Sequence, residues 1–190
     1  MNQLIHNLLT LVTAAGLGAF SLASPAAAQT FRPSLFTEVR GGGVVPTFDI
    51  ADVATSGAAF GVTLGYNFTP RWVLLGEFDY GMHEDEPTGL VDINTLHYMA
   101  KLGYSLTGPR DRGWEAVVNL GAGAVTFDVD GTDQNTYFAI NAGAKVTYHL
   151  NPRFALVLSP QGDIAFSKES ELTTTNAWVW PFTTGLRLKF

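Results

Sequence analysis

Three short stretches of this sequence carry side chains that metal binding or acid–base chemistry could use. Residues 128–133, DVDGTD, have the oxygen ligands and the glycine with which a calcium-binding loop begins, but the sequence lacks the bidentate glutamate that ends such a loop. An Asp-Gly pair more commonly forms a tight hairpin turn. We therefore predict a turn here, with calcium binding as the alternative.

The second stretch is His83-Glu84-Asp85-Glu86, whose imidazole and carboxylates could bind a divalent cation. Consecutive residues rarely converge on one ion, and the spacing matches no zinc signature. We interpret it as a solvated acidic loop, and we predict no metal and no cofactor.

The third is the pair Glu77 and Asp79, whose carboxylates could act as an acid and a base. Residues two apart on a strand simply share one face. Neighbouring lysine or arginine side chains then give a structural explanation, and we predict that both carboxylates face a polar interior.

The composition restricts the classes of protein to which this chain can belong. Its 190 residues suit one domain, and its 20 glycines, 12% aromatic residues and only 15% charged residues favour strands over helices. After the first thirty residues no apolar run reaches the roughly 18 residues that a membrane-spanning helix needs. The net charge of -6, without clusters of lysine or arginine, argues against nucleic acid as a partner.

The N-terminus has the features of a secretory signal peptide. Residues 8–23 are apolar and SPAAAQ follows, in which Ala26 and Ala28 fit an A-x-A cleavage site. The first seven residues hold no lysine or arginine, which departs from the usual pattern, and a buried N-terminal helix is the alternative. We predict a signal peptide over residues 1–28 and one mature domain over residues 29–190.

From Phe31 onward, apolar residues recur at every second position, as in strands that present one face to lipid or to a core. In the last segment Trp178, Trp180 and Phe182 share one face, whereas Arg187 and Lys189 share the other. The pattern predicts eight strands, near residues 35–42, 60–68, 72–80, 96–104, 114–123, 138–148, 154–163 and 178–190.

The connections between these strands alternate in length. Short turns lie at residues 69–71, 107–113 and 151–153, and longer polar connections lie near 44–56, 82–92, 128–135 and 167–177. Outer-membrane barrels have short periplasmic turns, longer outer loops and an aromatic girdle at each interface. We expect the periplasmic girdle to contain Tyr66, Phe68, Trp72, Tyr104, Trp114, Tyr148, Phe154 and Phe190, and the outer one Tyr80, Phe138, Phe166, Trp178 and Trp180.

If these strands cross lipid, every backbone polar group must be paired, which requires a closed barrel. Eight strands leave an interior that side chains fill. Pro160 and Pro181 cannot donate to a strand ladder, so we expect local bulges there. The inward charged side chains should form a lumen network of Glu38, Arg40, Glu77, Asp79, Lys101, Glu115, Lys145, Asp163, Arg187 and Lys189.

With its signal peptide, alternating strands, Pro-Arg turns and final GLRLKF (residues 185–190), the chain resembles the OmpA-like small outer-membrane β-barrel family. The resemblance implies a bacterial outer-membrane location, among lipid and lipopolysaccharide. It also implies that the barrel assembly machinery recognises the C-terminal strand, through Phe190, Leu188, Leu186 and Phe182. Because the chain ends with this strand, we do not expect a peptidoglycan-binding domain.

Within that family the residues favour a non-enzymatic, structural or surface-interaction role, in which four outer loops contact lipopolysaccharide, a host or another cell. A narrow channel for ions or small solutes is one alternative. The other is a lipid A-modifying enzyme, although no His-x-Ser arrangement is present. Because a nucleophile and its base need only be close in space, the candidates would be Ser159, Ser167 or Ser170 with His83, His97 or His149.

Overall fold

The computed structural model describes residues 31–84, 92–108, 111–129, 131, 134–167 and 176–190. Within them, Arg32–Phe190 forms one compact unit. The signal peptide predicted over residues 1–28, with Ala26 and Ala28, lies outside the described residues.

Eight antiparallel strands, each hydrogen-bonded to its neighbours in sequence, close into a single barrel when β8 pairs with β1. This confirms the predicted up-and-down architecture. A 3-10 turn, Phe48–Asp52, follows β1. The strands are β1 (Ser34–Thr47), β2 (Gly57–Asn67), β3 (Trp72–Glu84), β4 (Asp92–Ser105), β5 (Gly113–Val129), β6 (Asn135–His149), β7 (Phe154–Ala165) and β8 (Ala177–Lys189).

The alternation of the sequence determines which face of each strand lies outside. On β2, Phe60, Val62 and Leu64 are about half exposed, whereas Ala59 and Thr63 are buried inside the barrel. An exterior of large apolar side chains around a polar interior is the arrangement that a lipid surrounding selects. Among the described residues, no helix is long and apolar enough to span a membrane, a finding that does not bear on β-barrels.

The two ends of the barrel differ in the length of their connections. The connections 68–71, 106–112 and 150–153 and both ends of the strand sequence lie at one end, called here the inner end. The connections 48–56, 85–91, 130–134 and 166–176, which are longer on average, lie at the outer end. Residues 44–47, 82–84 and 128–129, which we predicted as parts of outer connections, belong to β1, β3 and β5. Their backbones continue the ladder, as in the pair Glu84 and Asp92, so the strands extend further outward than their apolar faces.

The bulges expected at the two prolines do not form. Pro160 pairs with Phe182 and Pro181 pairs with Val44, and the register on both sides of each proline is the same, so no extra residue is inserted. The sheet instead tolerates two short interruptions of pairing, one between β6 and β7 at Ser159 and Pro160 and one between β7 and β8 at Gln161 and Gly162. There the Trp180 ring lies over Gly162, where a Cβ atom would come within 2.6 Å of it.

Aromatic side chains pair near both ends of the strands. At the inner end Trp72 lies edge-on to Tyr104, with ring centroids 4.9 Å apart, and Trp114 lies 4.8 Å from Tyr148. At the outer end Trp178 stacks on Trp180 at 6.5 Å. These pairs occupy the levels at which a bilayer interface favours amphipathic rings.

Closure of the barrel depends on close approach between β1 and β8, and Gly185 lies where the two strands touch. A Cβ atom at Gly185 would lie 1.9 Å from the Val39 carbonyl oxygen and 2.8 Å from the Arg40 Cα. Gly185→Ala should therefore lower the free energy of unfolding by about 1–3 kcal/mol, as overpacking does. Electrophoresis with and without boiling measures this as a smaller fraction of the heat-modifiable, folded form.

Gly76→Ala is the matched control, because a Cβ atom there has its nearest neighbour, the Leu64 carbonyl oxygen, at 4.0 Å. This variant should fold like the parent protein. Equal folded fractions for the two variants would contradict the role assigned to the close approach at Gly185.

Candidate functional site

The interior of the barrel is layered along its axis. Near the inner end lies an apolar cluster of Phe36, Val73, Leu75 and Val117. Near the outer end lie two more apolar clusters, one of Val44, Ala59 and Val179 and the other of Ile50, Met99, Val125, Phe127, Tyr137, Ala139, Ala165 and Ala177. Between the apolar ends is a layer of charged side chains, none of them more than 9% exposed.

Glu77 of β3 lies at the centre of this layer and faces three cations. Its carboxylate contacts the Lys101 ammonium, lies 2.5 Å from the Lys145 Nζ and lies 3.7 Å from the Arg40 Nη2. Thr63 also donates its hydroxyl to Glu77 at 3.2 Å. A buried carboxylate needs such partners, because desolvation otherwise makes its charge very costly.

Glu38 of β1 is the second centre. The Lys145 Nζ lies 2.5 Å and the Arg187 Nη2 2.7 Å from its carboxylate oxygens. The guanidinium of Arg40 lies between the two glutamates and donates to Asp79 at 3.0 Å. Lys145 thus bridges Glu38 and Glu77, and the layer is a continuous network instead of a set of separate pairs.

Two histidines extend the network towards the two ends of the barrel. The His97 Nδ1 lies 2.8 Å from an Asp163 oxygen, and the His149 Nε2 lies 2.9 Å from a Glu115 oxygen. Arg187 connects the second pair to the centre, at 3.5 Å from Glu115. Neither histidine was among the predicted network residues, although the inward position of His97 in the alternating pattern was a usable signal.

Nine of the ten residues that we predicted to line the lumen come together in this network; Lys189 does not. Lys189 is half-buried at the last paired position of β8, opposite Phe36, and forms no ion pair with any described residue. At the end of a strand its long side chain can reach water, whereas Arg187, two residues further in, cannot.

Among the described candidate catalytic residues, Ser159, His97 and His149 contact partners in the lumen network. Ser159 accepts hydrogen bonds from Arg40 at 3.1 Å and Gln161 at 3.0 Å, while His97 and His149 face carboxylates. Ser167 follows β7 at the outer end, and Ser170 lies outside the described residues.

Within the described part of the chain, no three His, Cys, Asp or Glu residues are grouped as a metal site. Parts of both candidate metal stretches, residues 85–86 and residues 130, 132 and 133, lie outside it. Gly131 has a φ of 82°, which suits a tight turn.

The 3-10 turn after β1 folds over the outer mouth of the barrel. Ile50 is 5% exposed and packs inside, in the outer apolar cluster, whereas Phe48 is 69% exposed and packs edge-on against Trp178 at 5.4 Å. Phe48 has a φ of 60°, a strained value for a bulky residue. The segment that follows the turn is hydrogen-bonded to β3. Thr55 donates its N–H to the Glu84 carbonyl, and the Thr55 carbonyl lies 2.7 Å from the His83 Nδ1.

Comparison with known proteins shows which family has this architecture. The sequence model of the family described as "Outer membrane protein beta-barrel domain" matches residues 12–190. The chain belongs to this family. No curated protein sequence matches the chain significantly.

Solved structures of small outer-membrane barrels have the same fold. Neisserial surface protein A is 14% identical, with a TM-score of 0.66 over 84% of this chain and 100% of that one. A major outer membrane protein from Thermus thermophilus is 12% identical, with a TM-score of 0.61 over 84% and 100%. The N-terminal β-barrel domain of Pseudomonas aeruginosa OprF is 17% identical, with a TM-score of 0.54 over 83% and 97%.

Family and fold together place the protein in the bacterial outer membrane, as predicted. In such barrels the short turns face the periplasm and the longer loops face outward. The inner end is therefore the periplasmic end, and the charged layer lies in the section of the barrel that crosses the membrane.

Removing one carboxylate from the network should cost more than removing a balanced pair. Glu77→Gln leaves Lys101 without its acidic partner and weakens the compensation of Lys145 and Arg40, so we expect a loss of about 3–5 kcal/mol in the free energy of unfolding. In Glu77→Gln/Lys101→Met the charge balance is restored and the loss should be smaller. Urea unfolding in lipid vesicles measures both values.

Glu84→Gln changes an exposed carboxylate at the outer end of the same strand and should be nearly neutral. A Glu77→Gln loss no larger than that of Glu84→Gln, or a double variant less stable than the single one, would show that the network does not stabilise the barrel in this way.

Proposed function

We propose that this protein is a non-enzymatic structural barrel that presents its outer loops as an interaction surface. The observation that supports this proposal is the filled lumen, in which an ion-paired layer lies between apolar clusters and Ile50 packs beneath the outer mouth. With the interior occupied by the barrel's own side chains, the loops at the outer end are the parts available to partners outside the cell.

The outer surface is strongly acidic. The four outer segments, residues 44–56, 82–92, 128–135 and 167–177, contain Lys168 as their only lysine or arginine. The acidic residues of the same segments are Asp49, Asp52, Glu84, Asp85, Glu86, Asp92, Asp128, Asp130, Asp133, Glu169 and Glu171. A surface of one sign attracts ligands of the other and speeds their encounter.

This charge argues for a basic partner. A barrel of the same fold, the attachment invasion locus protein Ail of Yersinia pestis, has been solved in complex with sucrose octasulfate, a heparin analogue; it is 16% identical, with a TM-score of 0.50 over 83% of this chain and 97% of that one. A polyanion of that kind would be repelled by the outer surface of this protein. We propose that its outer loops bind a positively charged protein surface on a host or another cell.

The lipid-facing side of the last strand supports a second part of the proposal, recognition by the barrel assembly machinery. Phe182 and Leu186 on the outside of β8 and Phe190 directly after it are between 50% and 71% exposed, and Leu188 is half-buried. We propose that these four side chains form the assembly signal.

The barrel in nanodiscs should bind a lysine-rich peptide with an affinity that falls as salt rises. Neutralising four of the five described outer carboxylates with Asp49→Asn, Asp52→Asn, Glu84→Gln and Asp92→Asn should raise the Kd for the peptide about tenfold. Surface plasmon resonance measures both. Asp111→Asn, at the inner end, should leave the Kd unchanged. A peptide Kd that the four neutralising substitutions also leave unchanged would overturn the proposed partner chemistry.

The filled lumen should not conduct ions. We expect planar bilayers containing the purified protein to show no unitary current steps, because the charged layer has no space for a hydrated ion to pass without breaking ion pairs. Lys145→Met is the diagnostic variant. Regular current steps from the parent protein that change size in this variant would favour a channel instead.

A further inference from the structure

The charges outside the lumen are separated between the two ends of the barrel. Every lysine and arginine that lies outside the lumen network within the described ranges is at the inner end. Asp111 is the only acidic side chain in the inner-end segments, residues 31–33, 68–71, 106–112 and 150–153. The basic rim is defined here as Arg32, Arg71, Arg112, Arg153 and Lys189.

The basic rim surrounds the barrel instead of forming a patch on one side. Arg71, Arg112 and Arg153 each lie in one of the three inner turns, and Arg32 and Lys189 lie where β1 begins and β8 ends. Two of the turns are fixed to the neighbouring strand, because the Arg71 carbonyl accepts the Ser105 N–H at 2.7 Å and the Arg153 carbonyl accepts the Lys189 N–H at 2.8 Å. The strands of the barrel therefore determine where the backbone of these basic residues lies.

The side chains of the rim are available to a ligand. The four arginines are exposed, Lys189 is half-buried, and none of the five forms an ion pair with a described residue. Arg71 donates to the Tyr104 hydroxyl at 3.1 Å and its guanidinium lies 5.8 Å from the centre of that ring. Tyr104 in turn contacts Trp72 of the inner aromatic pairs, so the guanidinium lies at the level where lipid headgroups begin.

We propose that the basic rim binds the anionic phospholipid headgroups of the inner leaflet of the outer membrane. A ring of separated cations matches a layer of lipid that surrounds the barrel, whereas a soluble anion or a protein would require cations grouped on one side. Guanidinium groups suit this ligand, because they form paired hydrogen bonds to phosphate oxygens. The proposal depends on the membrane location of the barrel, not on the partner of its outer loops.

Spin-labelled lipids in vesicles of phosphatidylcholine and phosphatidylglycerol test this proposal. The parent protein should retain labelled phosphatidylglycerol at its surface more strongly than labelled phosphatidylcholine, by up to about fivefold for each engaged cation. The preference should weaken as salt screens the charges. Both leaflets of these vesicles contain the anionic lipid, so the orientation of the inserted barrel does not affect the result.

The variant Arg71→Gln/Arg112→Gln/Arg153→Gln should lose most of this preference. The control Asp49→Asn/Asp52→Asn/Glu84→Gln, which changes three charges at the outer end, should keep it. Heat-modifiable migration verifies that each variant is folded, and the salt dependence of the parent protein decides the question if the triple arginine variant fails to fold. No lipid preference in the parent protein, or a preference that survives in the folded arginine variant, would overturn the proposal.

Discussion

The structure depends on one constraint, that a backbone polar group placed in hydrocarbon must find its hydrogen-bond partner within the protein. A sheet meets this constraint only if its first and last strands pair, which β1 and β8 do over most of their length. The seam needs close backbone contact, hence the glycine at position 185 beside Arg40. Because closure fixes the register of all eight strands together, it also fixes which side chains face one another across the interior.

Closure then makes a charged interior possible. In the middle of an eight-stranded barrel the inward side chains cannot reach bulk water, and each charge there must be compensated locally. The protein meets this requirement with shared partners: Glu77 faces three cations, and Lys145 serves two glutamates. The glutamates that share these cations lie in the middle of the lumen, and apolar clusters line the lumen nearer both of its ends.

The face of each strand and the number of strands could be predicted from the sequence, because a period of two is a local property that residues such as Trp178 and Arg187 display directly. Contacts across the lumen could not. Lys145 meets Glu38 from 107 residues away, and the register of neighbouring strands says nothing about pairs on opposite walls. The ends of strands were also hard to predict, since Lys189 follows the inward pattern but lies where water is within reach. At Pro160 and Pro181 the local rule failed because the rest of the ladder holds the register.

The ion pairs of Lys145 also affect how easily the barrel wall deforms. It extends from β6 to carboxylates on β1 and β3, strands that are not its neighbours in the sheet. A thin-walled cylinder under lateral pressure from the surrounding bilayer deforms most easily by flattening into an ellipse, which requires opposite walls to change their separation. Side chains that connect opposite walls resist that deformation, because they hold the separation of the walls constant. The width of this barrel is therefore set in part by the reach of a lysine, and its cross-section should remain round when the membrane around it is compressed or stretched.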